Sequence, residues 1–359
     1  MKILITGICG FVGRLLALGL LEHKPGLKII GLDNLVRPGS ELFRRTWKTH
    51  GVAFHHGDIR SPSDLENLPE CDWILDAAAN PSVLAGVDGK TSSRQLVEHN
   101  LQGTINLLEL CKQWSAGFIM LSTSRVYSIS ALAALPMKIK NRAFVPAPAS
   151  LKLSGVTPAG ITEEFPSEPP LSFYGTAKKA SETLALEYGS AFDLPVWINR
   201  CGVMAGAGQF GKPDQGIFSF WIHSWRQRKP MAYIGFKGAG CQVRDCLHPL
   251  DLVPLLIRQM QGKRREVPAV LNTSGGMANS ISLAQLSAWC AERFGPRKIS
   301  AKPANRPYDV PWLVLNSRRA QQAWNWAPAT SLEKIFEEIA RQAEQQPGWL
   351  ELSEDEPPR

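Results

Sequence analysis

One stretch near the N-terminus decides the fold: residues 2–13 read KILITGICGFVG. Its first four residues predict a short strand, and apolar residues at helical spacing from Phe11 to Glu22 predict a helix. Between them, Gly7, Gly10 and Gly13 recur with a period of three. A turn without side chains lets the backbone approach a pyrophosphate, and the helix N-terminus offers free N–H groups and the positive end of a dipole. The stretch therefore predicts a dinucleotide site between a strand and a helix.

Two carboxylates extend this site. Asp33 lies 20 residues after Gly13, at the end of a predicted strand over Leu27–Leu32. A carboxylate there accepts both ribose hydroxyls and repels a 2′-phosphate, so NAD is favoured over NADP. A third predicted strand ends at Gly57-Asp58, and the pair Asp58-Ile59 after it would hold the adenine edge, with an ordinary strand-end turn as the alternative.

Strands and helices alternate through the next part of the chain. We predict further strands at 73–77, 118–121 and 195–199, and helices at 100–114 and 175–188. Such alternation implies right-handed crossovers between parallel strands. The predicted fold is therefore of the α/β class, a doubly wound parallel sheet of the Rossmann type.

The chain of 359 residues is too long for one ordinary domain. We predict that 1–198 form the NAD-binding domain, to which a strand and a helix around 240–262 return. Residues 199–345 are interpreted as mostly a smaller α+β substrate-binding domain, and 346–359 as a polar tail that frays. Residues 129–170 hold seven prolines and little periodicity, which predicts a long loop or lid.

Composition narrows the class of partner and compartment. The chain has 40 Lys and Arg against 32 Asp and Glu, for a net charge of +8. These charges are scattered, which favours an anionic metabolite such as a nucleotide over nucleic acid. The seven cysteines lack CxxC spacing, so we expect reduced thiols in a cytoplasm, with no metal and no disulfide framework. Arg14 interrupts the apolar run at 3–21, so we expect neither a signal peptide nor a membrane span.

Tyr174 and Lys178 stand four residues apart at the start of a predicted helix and therefore share a face. A phenol with a pKa near 10 is a poor base at neutral pH. A nearby ammonium and the positive nicotinamide favour the phenolate, which gives a base suited to a sugar hydroxyl. Thr123 ends a strand at the carboxyl edge of the sheet, where its hydroxyl could bond the reacting oxygen or act only as a cap.

These residues together resemble the extended short-chain dehydrogenase/reductase family, in its sugar-nucleotide epimerase/dehydratase branch. The matching parts are TGICGFVG at 6–13, Asp33-Asn34, Asp58-Ile59-Arg60, Ala77–Ala79, Ser122-Thr123, YGTAK at 174–178 and Gln242–His248. The resemblance implies bound NAD and a catalytic triad of Thr123, Tyr174 and Lys178, with Ser124 as the alternative to Thr123. It implies NAD contacts from Gly7, Gly10, Phe11, Val12, Gly13, Asp33, Asn34, Asp58, Ile59, Ala77, Ala78, Ala79, Asn100, Tyr174 and Lys178.

The position after the catalytic hydroxyl separates the branches. The 4,6-dehydratases of this family carry an Asp-Glu pair there for eliminating water, whereas this chain has Ser124-Arg125. A dehydratase is therefore disfavoured. The segments at 124–129, 199–211, 214–222 and 272–283 resemble the CDP-paratose 2-epimerase subfamily. Another nucleotide-sugar epimerase remains an alternative, as does a non-catalytic NAD-binding sensor or scaffold.

The resemblance implies a reaction without net redox change. Tyr174 as phenolate would take the proton of the sugar C2 hydroxyl while the C2 hydride passes to the nicotinamide, and the 2-keto sugar would turn and receive it on its opposite face. Lys178 would hold the nicotinamide ribose, and Thr123 would orient the oxygen.

Substrate contacts are implied at five further positions. Arg244 and Arg306 stand where relatives place arginines that bind the diphosphate, and a guanidinium pairs well with phosphate oxygens. Asp214 and Gln215 would contact the sugar or nucleotide, and Asn199 would order the nicotinamide or substrate. For each of these residues a purely structural role is the alternative. Helices at about 92–114 and 176–190 match the pair that forms a dimer interface in relatives, so we expect a homodimer or a tetramer.

Overall fold

The computed structural model describes residues 1–89, 91–262 and 267–353. The strands are β1 (Lys2–Thr6), β2 (Lys28–Asp33), β3 (Ala53–His56), β4 (Trp73–Asp76), β5 (Gly117–Thr123), β6 (Met137–Lys140), β7 (Ala143–Pro146), β8 (Val156–Thr157), β9 (Gly160–Ile161), β10 (Val196–Cys201), β11 (Val203–Met204), β12 (Ala232–Ile234), β13 (Val243–Leu247), β14 (Val270–Thr273), β15 (Ser280–Ser282), β16 (Ser300–Lys302) and β17 (Trp312–Leu313).

The α-helices connect and cover these strands. They are α1 (Phe11–His23), α2 (Arg44–Thr49), α3 (Pro62–Leu65), α4 (Ser93–Val97), α5 (Gly103–Trp114), α6 (Ile129–Ala133), α7 (Ser172–Ala191), α8 (Ile217–Arg226), α9 (Val253–Gln261), α10 (Leu283–Phe294), α11 (Arg318–Trp324) and α12 (Leu332–Gln345).

Seven parallel strands form the large sheet, in the order β14-β10-β5-β4-β1-β2-β3. Successive side chains of β1 point to opposite faces of the sheet, as the two-residue period of a strand requires. Ile3 and Ile5 pack on the side of α1 and α9, whereas Leu4 packs on the side of α5 and α7. The predicted doubly wound parallel sheet is confirmed.

A smaller sheet joins β11, β13, β15 and β17. The sequence predicts that a strand within 240–262 returns to the NAD-binding domain. The strand in that range, Val243–Leu247, belongs to the smaller sheet, and the strand that joins the large sheet is β14. Helix α9 does return, because Val253 and Leu256 pack in the same core as α1. The domain boundary at residue 198 stays a prediction.

The proline-rich stretch is built differently from the expected loop. Within 129–170 lie α6, the antiparallel hairpin β6–β7 and the pair β8–β9. Val156, Ile161 and Phe165 are buried against the segment 310–315. Strands of two to four residues are too short to show a period in the sequence, so the prediction of a long loop is wrong for this physical reason.

The C-terminal segment packs where fraying was expected. Trp349 and Leu350 are 6% and 2% exposed, so the chain is held down at these residues. The polar residues 354–359 of the predicted tail lie outside the described residues. Within the part of the chain that the structure describes, none of the helices is both long and apolar enough to span a lipid bilayer.

Candidate active site

A cavity of about 830 Å³ runs from the carboxyl edge of the large sheet to the smaller sheet. Loops after β1, β2, β4 and β5 line one part of it, and residues around β12, β13 and α8 line the other. Open parallel sheets bind ligands at this edge, because helix N-termini and backbone N–H groups converge there.

The glycine turn is packed so closely that side chains are excluded. Gly7 has a φ of +64°, which favours glycine. A Cβ on Gly13 would lie 2.3 Å from the Gly7 carbonyl oxygen. Gly10 precedes α1 without a side-chain cap, so the first N–H groups of the helix, at Phe11, Val12 and Gly13, are open to a ligand. The structure thus brings all five predicted residues of the turn to the cavity.

The two predicted carboxylates both line the cavity. Asp33 ends β2 and accepts hydrogen bonds from the backbone N–H groups of Cys9 (2.8 Å) and Leu35 (2.8 Å). Burial raises its pKa, and these hydrogen bonds offset the rise only in part. Asp58 accepts from Asn34 (2.9 Å) and pairs with Arg60 (2.7 Å). Burial opposes its ionisation, but these partners outweigh burial and hold its pKa below the usual range.

The run Ala77–Ala79 follows β4 and lines the cavity beside the glycine turn. The Thr6 hydroxyl donates to Asp76 (3.0 Å) and accepts from the N–H groups of Ala77 (3.1 Å) and Ala78 (3.0 Å). A Cβ on Gly7 would lie 3.0 Å from the Ala78 Cα. Small residues are therefore needed where the two turns meet. Ile59, after Asp58, also lines the cavity.

Thr123, Tyr174 and Lys178 meet in the middle of the cavity wall. Thr123 ends β5, and its side chain lies near enough to the Tyr174 hydroxyl to lower the pKa of that phenol. Ser124 also lines the cavity, but Thr123 is the hydroxyl that acts on the phenol, which supports Thr123 as the partner. Lys178 is 2% exposed. Within the described residues no oxygen accepts a hydrogen bond from its ammonium group, which lines the cavity.

The pKa of Tyr174 differs from the expectation. Burial raises the pKa of its phenol to about 12, and the hydrogen bond to Thr123 lowers it only in part. The cation that acts on the phenol is Arg125, whereas Lys178 acts on the neighbouring Cys201 thiol. The expected lowering by Lys178 is not found in the protein alone.

Arg125 is a site residue that the sequence reasoning passed over. It was noted only as the replacement of an acid, yet its side chain lines the cavity beside Tyr174, Arg244 and Asp309. A basic residue two positions after the catalytic hydroxyl was the available signal.

Four of the five predicted substrate residues line the cavity. Arg244 pairs with Asp309 (2.8 Å), and the Arg306 guanidinium donates to the Pro213 carbonyl oxygen (3.0 Å). Asp214 accepts from the Ser82 hydroxyl (2.9 Å). Gln215 accepts from Arg37 (2.7 Å), which connects the substrate part of the cavity to the loop after Asp33.

Two predicted residues point elsewhere. The Asn100 amide exchanges hydrogen bonds with the backbone of Asn80 (2.8 and 2.9 Å), within a π-helical turn at Glu98–Gln102. The Asn199 amide is buried and pairs with that of Gln259 (3.0 and 2.9 Å). Neither side chain lines the cavity, so the structure supports the structural alternative for Asn199 and does not bring the Asn100 side chain to the predicted NAD contacts.

These residues fit NAD on three observations: the glycine turn that a Cβ would fill, the open N–H groups of α1, and a buried Lys178 whose ammonium donates to no oxygen of the described residues. The turn and α1 would hold the pyrophosphate, Asp33 the adenosine ribose and Lys178 the nicotinamide ribose. In the described parts of the chain, no group of three His, Cys, Asp or Glu side chains could hold a metal ion.

A doubly wound sheet with this glycine turn, and with a hydroxyl, a phenol and an ammonium at its edge, defines an NAD-dependent enzyme of the short-chain dehydrogenase/reductase type. The sequence model of the NAD dependent epimerase/dehydratase family matches residues 3–273, so the chain belongs to that family.

Individual relatives cover nearly the whole chain. The CDP-paratose 2-epimerase of Salmonella typhi is 27% identical over 345 residues, covering 92% of this chain and 96% of the relative. The UDP-glucuronate 4-epimerase of Thermodesulfobacterium geofontis is also 27% identical, over 347 residues and 92% of each chain. The predicted enzyme class, an NAD-dependent sugar-nucleotide epimerase, and the predicted cofactor are confirmed.

Solved structures share the fold. The structure of UDP-glucuronic acid 4-epimerase from Bacillus cereus, in complex with UDP-glucuronic acid and NAD, has a TM-score of 0.76 and 24% identity to this chain. The match covers 96% of this chain and 99% of that one. At this identity the likeness establishes the architecture, a large sheet and a second, smaller part.

Proposed function

We propose that the protein inverts C2 of a CDP-linked dideoxy sugar, converting CDP-paratose to CDP-tyvelose. The observation that carries the proposal is that the Tyr174 phenol lines the same cavity as Thr123, Lys178 and the glycine turn. The choice of sugar is supported by the Salmonella typhi relative and by the segments that resemble its subfamily.

The residues divide the chemistry between them. NAD, when bound, accepts a hydride from a carbon atom and returns it. Tyr174 removes the proton of the sugar hydroxyl and later restores it. General base catalysis of this kind raises the reaction rate by about 10²–10⁴-fold. Thr123 holds the reacting oxygen, and Lys178 holds the nicotinamide ribose. Arg244 and Arg306 grip the diphosphate, so that the oxidised sugar can turn while the nucleotide stays bound.

The second candidate is a UDP-glucuronate 4-epimerase. The Thermodesulfobacterium geofontis relative matches this chain at the same identity and over the same share of the chain as the CDP-paratose enzyme does. The chemistry would be the same, but at C4, and Tyr174 would face that hydroxyl instead.

One experiment separates the candidates. The protein is incubated with CDP-paratose carrying deuterium at C2 and, separately, with UDP-glucuronate carrying deuterium at C4, and products are followed by NMR. We expect tyvelose that keeps its C2 deuterium, because the hydride returns to the carbon it left. Turnover of UDP-glucuronate alone would select the second candidate, and turnover of neither would refute both.

The Tyr174→Phe variant tests the assigned base. It removes the hydroxyl that carries the proton and keeps the ring, so we expect turnover to fall by about 10²–10⁴-fold while NAD still binds. Bound NAD is measured by fluorescence titration. If sugar turnover stays intact, Tyr174 is not the base.

We further propose a cytoplasmic homodimer. All seven cysteines are free and buried, which suits a reducing compartment. The helices expected at the interface, α5 and α7 with the segment before α5, carry the exposed apolar side chains Val97 and Leu186, each 36% exposed. Sedimentation equilibrium tests the dimer, and a monomer mass at micromolar concentration would contradict it.

A further inference from the structure

Arg125 is held rigidly beside the catalytic phenol. It lies in the 3₁₀ turn Ser124–Val126 that directly follows β5, and its N–H donates to the Thr123 hydroxyl (3.2 Å). A Cβ on Gly175, the residue after Tyr174, would lie only 2.3 Å from the Arg125 carbonyl oxygen. The turn and the first residues of α7 are therefore in backbone contact, which fixes Arg125 relative to Tyr174.

The charge of Arg125 is poorly compensated. Among the described residues its guanidinium makes one long hydrogen bond, to the Tyr308 carbonyl oxygen (3.4 Å). The nearby carboxylate, Asp309, is engaged by Arg244 (2.8 Å) and by the Val310 N–H (2.9 Å). Two guanidinium groups thus share one carboxylate. Burial, and then the charge of Arg244, lower the pKa of Arg125 to about 10, which leaves it protonated at neutral pH.

The groups that face the phenol come from three elements. Thr123 on β5 is neutral, and Cys201 on β10 is a neutral thiol whose pKa burial raises to about 12. Arg125 is the cation, and it comes from the turn after β5. An anion at Tyr174 would therefore meet the positive charge of Arg125, in a cavity that Lys178 also lines.

We propose that Arg125 is a positioning residue of the reaction, the cation whose charge stabilises the ionised form of the Tyr174 phenol. The inference rests on the proposed function, in which Tyr174 is the base. It also accounts for the change from an acidic to a basic residue at this position: a carboxylate there would oppose ionisation of the phenol.

The closing experiment titrates Tyr174 directly, with NAD-loaded protein and without any sugar. The ultraviolet absorbance of tyrosinate is followed against pH, and the signal of Tyr174 is the difference between each protein and its Tyr174→Phe counterpart. In Arg125→Gln we expect the midpoint to move up by about one pH unit or more, because a cation that lines the same cavity as the phenol is lost. Arg125→Lys keeps the charge and should restore most of the original midpoint.

Two further variants supply controls. Arg293→Gln removes a guanidinium that pairs with Glu337 and Glu344 far from the cavity, and it should leave the titration unchanged. Arg244→Gln removes a cavity cation that does not act on the phenol, so we expect weaker nucleotide-sugar binding without a similar shift.

The outcomes separate the inference from the function. An unchanged Tyr174 midpoint in Arg125→Gln overturns the inference, whatever sugar the enzyme accepts. A shifted midpoint in a protein that turns over neither sugar supports the inference and refutes the function. With an active enzyme, we expect the acid limb of the kcat profile to move with the midpoint. A rise in KM alone would show that Arg125 only binds substrate.

Discussion

Asp245 is almost completely buried in the smaller sheet, and its carboxylate accepts hydrogen bonds from the backbone of two neighbouring segments. It accepts hydrogen bonds from the N–H groups of Val203 (3.3 Å) and Leu315 (2.7 Å). Burial raises its pKa to about 6, and the hydrogen bonds reduce this rise only in part. In the unfolded chain the same side chain has a pKa near 3.9.

This difference predicts how stability depends on pH. Between about pH 4 and pH 6 the folded protein keeps the Asp245 proton that the unfolded chain has lost, so the free energy of unfolding falls as pH rises. The fall from this one group is about 3 kcal/mol. Denaturant unfolding of the wild type and of Asp245→Asn across this range checks it. The amide does not titrate, so the difference between the two proteins should change with pH, and parallel curves would contradict the assignment.

Site residues fall into two groups, according to whether their role depends on neighbours along the sequence or on residues that only the tertiary fold brings near. The glycine turn, Asp33 and the Tyr174–Lys178 pair act through spacing along the chain, so the sequence predicts them. Asn100 and Asn199 are different, because their partners Asn80 and Gln259 lie 20 and 60 residues away and are brought together only by the tertiary fold. Nothing in the local sequence shows that these amides are already satisfied.

At the scale of elements, a buried ion pair joins α7 to the sheet. Glu182 on α7 pairs with Arg200 on β10 (2.7 Å) and accepts from the Ser122 hydroxyl on β5 (2.6 Å). Both charged side chains are at most 5% exposed. The pair therefore fixes the helix that carries Tyr174 against the strand that ends at Thr123.

Removing one charge of this pair should be costly. In Glu182→Gln, Arg200 would remain buried without its carboxylate, so we expect the free energy of unfolding to fall by about 3–5 kcal/mol. Urea denaturation measures it. Arg94→Gln breaks the exposed Arg94–Glu98 pair and serves as control, with an expected change of about 0–1 kcal/mol. Equal losses in the two variants would show that burial of the pair is unimportant.

Elements also differ in how well the sequence reveals them. Most strands of the large sheet are buried along nearly their whole length, as in β5, and their alternation with helices is visible in the chain. The strands within 129–170 have only two to four residues and are stabilised by contacts with 310–315, far along the sequence. Such tertiary support leaves no periodic signal.

At the scale of the whole molecule, the C-terminal segment buttresses the cavity. The Trp349 ring stacks on Phe210 at 5.0 Å between centroids, and its indole N–H donates to the Gln209 carbonyl oxygen (2.9 Å). Gln209 and Phe210 line the cavity, and the Phe210 carbonyl oxygen accepts from Arg37 (2.5 Å). Trp349 thus supports the loop at Gln209-Phe210, which contacts the loop after Asp33 through Arg37.

Loss of this ring should affect both stability and binding. For Trp349→Ala we expect a fall of about 3–5 kcal/mol in the free energy of unfolding and weaker binding of NAD, because Phe210 loses its support. Thermal unfolding and fluorescence titration measure the two effects. Leu352→Ala, at a side chain 41% exposed in the same segment, should change stability by less than about 0.5 kcal/mol. Unaltered NAD affinity in Trp349→Ala would show that the segment only adds stability.

The path of the chain through the two sheets has a consequence for dissecting the protein. Strand β14 forms an edge of the large sheet, although along the chain it lies between β13 and β15 of the smaller sheet. A fragment cut after residue 198 would lack this border strand and the α9 helix that shelters α1. The large sheet and its helices are thus completed by residues that come late in the polypeptide. We therefore expect that neither part of the protein folds when it is expressed alone.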